Sequence, residues 1–196
     1  MSAPIFSEEP YLYVFVGALA VWIVSDLRIG ARHRDGATGP RDRGSKRVIG
    51  IAVSGGTAGA ALLPELVAVP TLPRQRVAFW IGIGLVVLGV LFRQYAVRTL
   101  GEYFSLAVSV DEADTVVTSG PYRWVRHPSY TGGLTTMVGI GVATGNWLSL
   151  GVVTLAGVAG YGYRIHVEER VLREKLGESY EAYAERTQYR LVPGLW

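Results

Sequence analysis

From Pro128 to Tyr163 the chain carries no charged residue over 36 positions, and polar clusters stand at both ends of this run. Tyr122, Arg123, Arg126 and His127 precede it, and Arg164, His166, Glu168, Glu169 and Arg170 follow it. A membrane-spanning helix needs about 20 apolar residues, and somewhat fewer when flanking side chains reach the interface. A run of this length can therefore cross a bilayer twice, which returns its two ends to one face. Clusters far apart in sequence can then form one site. The turn-prone pair Gly145-Asn146 marks the reversal, between segments of roughly 129–144 and 147–164.

Three earlier segments are also uncharged: Pro10 to Ser25, Val48 to Pro64 and Val77 to Phe92. Each covers about 25 Å of a hydrocarbon core about 30 Å thick, and flanking Arg and Tyr side chains can snorkel across the difference. Ser54-Gly55-Gly56-Thr57 and Pro64 interrupt the second. Any one such run could equally be a buried helix of a soluble protein. Five of them in 196 residues leave too little polar surface for that. Charged residues make up 18% of the chain, against about 25% in ordinary soluble domains. The 25 glycines suit helices packed closely in a membrane. The expected fold is an all-α integral membrane protein with about five transmembrane helices, the last two forming a hairpin.

Loop charge sets the expected orientation. Asp26 to Arg47 holds seven basic residues against three acidic ones, which places this loop in the cytoplasm. The N-terminus, the 65–76 connection and the 145–146 turn then lie outside, although Arg74 and Arg76 run against that rule. The 93–127 loop and everything from Arg164 onward lie inside, so both polar clusters face the cytoplasm. With a net charge of only +3, the basic loops report topology and imply the lipid bilayer, and no nucleic acid, as a partner. Residues 1–10 contain Glu8 and Glu9 and no Lys or Arg, so no cleavable signal peptide is expected. The absence of cysteine excludes disulfides, thiolate metal sites and a cysteine nucleophile. Three scattered histidines, His33, His127 and His166, argue against a metal centre.

Two regions follow. Residues 1–92 supply three helices and the basic loop 26–47, and residues 93–196 carry the chemistry. Within the second region, alternation over Phe104 to Val110 and the β-branched Thr115 to Thr118 flank Asp111 to Asp114, which predicts a small β-hairpin. From Arg164 to about Thr187, Val167, Val171, Leu172, Leu176, Tyr180 and Tyr183 share one face of a cytoplasmic amphipathic helix, loosened at Gly177.

Arg164 and Glu168 are four residues apart and share a helix face just where the chain leaves the membrane. Ionisable groups at such depth are costly and often mark a site. Glu169 and Arg173 have the same spacing and read more plainly as an interfacial ion pair. Pro128 disfavours helix at His127 and favours a helix starting at Pro128 itself. His127 then stands at a helix entrance, among unpaired N–H groups that suit an anion. Taken alone, His127 reads more simply as a polar interfacial residue, Arg123 and Arg126 as headgroup anchors, and Tyr122, Trp124 and Tyr130 as an aromatic belt. The G-x-G triplets at 82–84, 139–141 and 160–162 follow no strand, so they read as small residues for helix packing.

The string Gly120-Pro121-Tyr122-Arg123-Trp124-Val125-Arg126-His127-Pro128-Ser129-Tyr130-Thr131-Gly132 resembles the G-P-Y-x-x-x-R-H-P-x-Y-x-G signature of the isoprenylcysteine carboxyl methyltransferase family. Residues 164–172 resemble its R-x-x-x-E-E-x-x-L segment, and residues 180–194 its closing Y-x-x-Y-x-x-R…R-L-x-P pattern. The resemblance covers roughly residues 95 to 196. It implies a membrane methyltransferase using S-adenosylmethionine, with S-adenosylhomocysteine as product, and a lipophilic or lipidated acceptor that enters from the bilayer. It also implies that His127, Tyr130, Glu168 and Glu169 bind the cofactor, that Pro128 and Gly132 shape the turn against it, and that Arg164 orients the acceptor. Arg186 and Arg190 would close the site. An aromatic face, Tyr130 or Tyr163, can stabilise a sulfonium.

Relatives with these motifs are thought to methylate phospholipid amines or thiols. Two other classes compete: a sterol-type membrane reductase using NADPH, and a non-catalytic scaffold.

Overall fold

The computed structural model describes residues 4–32, 44–67, 70–101 and 116–196. Six α-helices account for most of them: α1 (Tyr11–Arg32), α2 (Ser45–Leu66), α3 (Gln75–Leu100), α4 (Pro128–Ala143), α5 (Trp147–Leu176) and α6 (Glu178–Arg186). Single 3₁₀ turns occupy Ile5–Ser7 and Gly120–Arg123. There is no strand among the described residues. The hairpin expected over 104–118 lies outside them except for 116–118, which form no regular element.

By length and composition, α1, α3 and α5 can each cross a membrane. At 16 residues α4 is about 24 Å long. It lies between α3 and α5, while α2 packs along α5 and α1 against α3. The α3–α4 seam is made by backbone. A Cβ on Gly82 would come within 2.6 Å of Gly139 O, and one on Gly89 within 2.6 Å of Gly132 O. From the other side, Gly132 and Gly139 meet Gly89 O at 2.7 Å and Gly82 O at 2.8 Å. Glycines seven apart recur on one helix face after two turns, so the two helices touch at two levels. Phe79, Val86 and Ile140 fill the core beside this seam, packed with Phe15 and Trp22 of α1.

The sequence reading needs adjustment at three helices. Residues 54–57 do not interrupt α2. A Cβ on Gly56 would stand 2.7 Å from Ala156 Cβ, so that glycine is a contact point with α5. α3 does not stop at Phe92 but runs to Leu100. Arg93 is no loop residue: its Nε donates to Asp26 Oδ1 of α1 at 2.8 Å and its Nη1 to Ser129 O of α4 at 3.0 Å. A paired charge inside a bundle need not end a helix. The boundary expected between residues 92 and 93 therefore falls within α3. Finally, the segment expected as one amphipathic helix from Arg164 is divided. Its first part is the continuation of α5, and Gly177, at φ 50°, turns the chain into α6.

The α4–α5 turn forms where expected. Gly145 takes φ 67°, and Asn146 caps α5, its Oδ1 accepting from Leu148 N at 2.9 Å and Ser149 N at 3.1 Å. Leu72 N donates to Gly145 O at 2.7 Å, so the α2–α3 connection lies beside this turn. At the opposite end of the bundle the last residues fold back. Arg126 N donates to Tyr189 O, His127 N to Arg190 O, and Thr131 Oγ1 to Leu191 O.

Candidate active site

The two ends of the uncharged run meet. Tyr130, in the first turn of α4, donates from its hydroxyl to Glu168 Oε2 of α5 at 2.6 Å. Arg164 Nε donates to the same hydroxyl at 3.2 Å and stands 3.6 Å from Glu168 Oε2. Arg164 and Glu168 lie one helical turn apart, so their side chains converge on Tyr130. Arg164 also donates from Nη1 to the Ser45 hydroxyl at the start of α2. Nothing in the sequence singled out Ser45, which is fully buried and 119 residues away from Arg164. A region that carries no family motif thus reaches the site.

Glu169, the next residue, forms a second centre. Successive helical residues project about 100° apart, so neighbouring carboxylates face different surroundings. Glu169 is 2% exposed. Arg126 Nε lies 3.0 Å from its Oε1, His127 Nε2 3.4 Å from Oε1, and Arg173 Nη2 3.4 Å from Oε2. Arg190 makes a forked contact, with Nε 3.2 Å from both oxygens and Nη2 3.1 Å from Oε2. An ion buried this fully persists only when compensated, and three guanidinium groups provide more than one carboxylate requires. The pair Glu169–Arg173 is thus one spoke of a buried hub, and Arg126 belongs to that hub and not to the lipid headgroups.

The centres are joined by aromatic rings. His127 stacks on Tyr130 with centroids 5.8 Å apart and planes 16° apart, and Tyr130 lies 5.3 Å from Tyr161. His127 and Tyr130 therefore neighbour each other, but His127 engages Glu169 and Tyr130 engages Glu168.

The remaining expected residues take other places. Pro128 is the first residue of α4, as its fixed φ favours. Gly132 faces α3, where a Cβ would come within 2.7 Å of Arg93 N. It sets the depth of α4 against α3. Tyr163 is 40% exposed and points about 100° round α5 from Arg164. Of the two arginines expected to close the site, Arg190 binds Glu169, whereas Arg186 donates to Ala182 O of its own helix. Tyr183 ties α6 to the motif loop through its hydroxyl, which donates to Tyr122 O at 2.7 Å, and burial raises its ionisation above the ordinary tyrosine value.

Residues 81–174 match the model of the isoprenylcysteine carboxyl methyltransferase family. A probable protein-S-isoprenylcysteine O-methyltransferase of Oryza sativa subsp. indica is 34% identical over 126 residues, which is 63% of this chain and 66% of that protein. The protein-S-isoprenylcysteine O-methyltransferase of Xenopus laevis is 38% identical over 108 residues, 54% of this chain and 38% of that one. The chain therefore spans just under two thirds of the rice relative and well under half of the frog one. A solved structure of the eukaryotic intramembrane Ras methyltransferase ICMT shares the fold, with TM-score 0.53 and 22% identity over 94% of this chain and 85% of that chain. The shared fold and the three long apolar helices make this an integral membrane protein.

Proposed function

We propose that this chain, whose residues 81–174 match the model of the isoprenylcysteine carboxyl methyltransferase family, is a methyltransferase of that kind and transfers a methyl group from S-adenosylmethionine to the carboxylate of an isoprenylcysteine-like acceptor held in the bilayer. The observation that carries this reading is the meeting of Tyr130, Arg164 and Glu168 across the two helices that bound the uncharged run.

The residues present fit the cofactor. Its sulfonium suits an aromatic face, and the rings of His127, Tyr130 and Tyr161 stand in a row beside Glu168. Its ammonium and ribose hydroxyls suit carboxylate acceptors, and its own carboxylate suits guanidinium groups. When bound, S-adenosylmethionine supplies an activated methyl group to an acceptor aligned with its carbon–sulfur bond.

The chain's own residues do the rest. Glu168 accepts hydrogen bonds from the cofactor, with Tyr130 fixing its position. His127 and Glu169 hold the neighbouring end. Arg164, steadied by Ser45 and Glu168, orients the acceptor carboxylate. Pro128 and Gly132 act through the placement of α4. Holding donor and acceptor near 3–3.5 Å accounts for most of the catalysis such a site can offer. A carboxylate acceptor is ionised at neutral pH and needs no base. An amine or thiol acceptor would have to lose a proton, with Glu168, Glu169 or His127 as the base.

We also infer five crossings, with α2 and α4 completing those of α1, α3 and α5. The α2–α3 connection and the α4–α5 turn lie side by side, as two connections on one membrane face would. The basic residues near Ser45 support a site at the cytoplasmic face.

Radiolabelled methyl transfer into prenylcysteine, phospholipid-amine and thiol acceptors tests the reading. Label in the prenylcysteine ester is expected. Label in another acceptor alone would retain the activity and replace the substrate. Binding of NADPH without binding of S-adenosylhomocysteine would overturn the reading.

A further inference from the structure

Arg93 of α3 serves two other helices at once. Its Nε donates to Asp26 Oδ1 of α1 at 2.8 Å and its Nη1 to Ser129 O of α4 at 3.0 Å, with only 15% of the side chain exposed. Beside it, Gln94 Nε2 donates to the Ser25 hydroxyl of α1 at 2.6 Å. Polar bonds of this kind commonly join membrane helices, and those to Ser25 and Asp26 suffice to tie α1 to α3. The second donor of Arg93 goes elsewhere, into the first turn of α4.

That turn carries Tyr130. His127, at the N-cap of α4, makes no side-chain cap bond, and helix ends fray where their groups are unpaired. Ser129 C=O and Tyr130 N–H belong to one planar peptide unit. His127 O accepts from this N–H at 3.0 Å, and Arg93 holds the oxygen. A helical carbonyl already serves the N–H four residues on, so α4 itself does not need the bond from Arg93. The start of α4 is also seated on the Arg93 backbone, since a Cβ on Gly132 would come within 2.7 Å of Arg93 N. From the peptide held in this way, the Tyr130 hydroxyl reaches Glu168 Oε2 at 2.6 Å.

We propose that Arg93 is a positioning residue: anchored by Asp26, it fixes the Ser129–Tyr130 peptide so that Tyr130 meets Glu168. Arginine suits the task because its rigid fork can face a carboxylate and a carbonyl together, whereas lysine is a point charge. Asp26 lies outside the residues that match the family model, so α1 supports the site from beyond them. The inference rests on Tyr130 and Glu168 binding the cofactor, as proposed above.

A double-mutant cycle tests it, read as S-adenosylhomocysteine affinity by calorimetry on the full chain in detergent. Arg93→Lys keeps a charge beside Asp26 and gives up the fork. It is expected to weaken binding about tenfold in the parent and to add little in Tyr130→Phe. A residue that only supports the bundle would cause the same loss in both backgrounds. That result overturns the inference, as does unchanged affinity in Arg93→Lys. If Arg93→Lys does not fold, Asp26→Asn carries the same cycle, because its Oδ1 still accepts from Arg93 while the charge that anchors the guanidinium is gone. A parent that binds no S-adenosylhomocysteine, or a Tyr130→Phe variant that binds it as the parent does, overturns the cofactor reading and this inference with it.

Discussion

Adjacent glutamates on α5 have opposite balances of stability and chemistry. Glu169 is 2% exposed and surrounded by Arg126, Arg173, Arg190 and His127. Glu169→Gln keeps the shape and strands three guanidinium groups, which should cost about 3–5 kcal/mol, read as a fall in Tm of the detergent-solubilised protein. Glu168 has 13% of its side chain exposed and one close guanidinium. Glu168→Gln should lower Tm little and reduce cofactor affinity tenfold or more by calorimetry. If Tm falls alike in both variants, the division of labour is wrong. The paired glutamates were legible as a motif, and the helical offset between neighbours already required them to face different ways. Arg164 and Arg173, one turn away on the same helix, were legible as their partners, but those from 126–130 and Arg190 were not, nor was Ser45 behind Arg164, because only tertiary folding joins these. Ser45→Ala should weaken the hold on Arg164 and raise the acceptor KM several-fold with cofactor affinity unchanged. A change in cofactor affinity instead would remove Arg164 from the acceptor side.

Helix contacts turn on individual glycines. Gly139→Ala would bring a Cβ within 2.7 Å of Val86 N and 2.8 Å of Gly82 O, so α3 and α4 must separate. Overpacking of this kind costs about 1–3 kcal/mol. Gly84→Ala meets nothing within 4 Å and should be neutral or stabilise the helix by up to about 1 kcal/mol. Thermal unfolding of the two variants tests the seam, and equal effects would refute it. The sequence reading recognised G-x-G triplets as packing residues but not which of their glycines pack or against which helix, since that depends on the rotation of each helix. It also took Ser54 to Thr57 as an interruption of α2, where contact with Ala156 makes Gly56 an asset. The Gly145-Asn146 reversal was readable because cap and turn chemistry are local. Asn146→Ala removes both cap bonds and should cost about 1 kcal/mol of Tm-derived stability.

At the scale of the molecule, the order of helices follows from which faces carry small residues. α4 lies between α3 and α5, touching α3 through glycine backbone and α5 through Gly133 against Tyr161, Gly141 against Leu150 and Gly157 against Leu134 and Met137. α2 joins α5 in the same manner through Gly56 and Gly160. Seams this tight have no side-chain slack. For an acceptor anchored by a lipid tail, that fixes the itinerary. The tail cannot thread between α3 and α4, or between α2 and α5, without prising backbones apart. On the proposed function, it is expected to travel round the outside of these joined helices and present only its polar head to Arg164. A covalent tie between α3 and α4 can be introduced without competing thiols, because the chain has no cysteine. Such a tie should leave turnover intact, and a loss of turnover would mean that the doorway is at that seam after all.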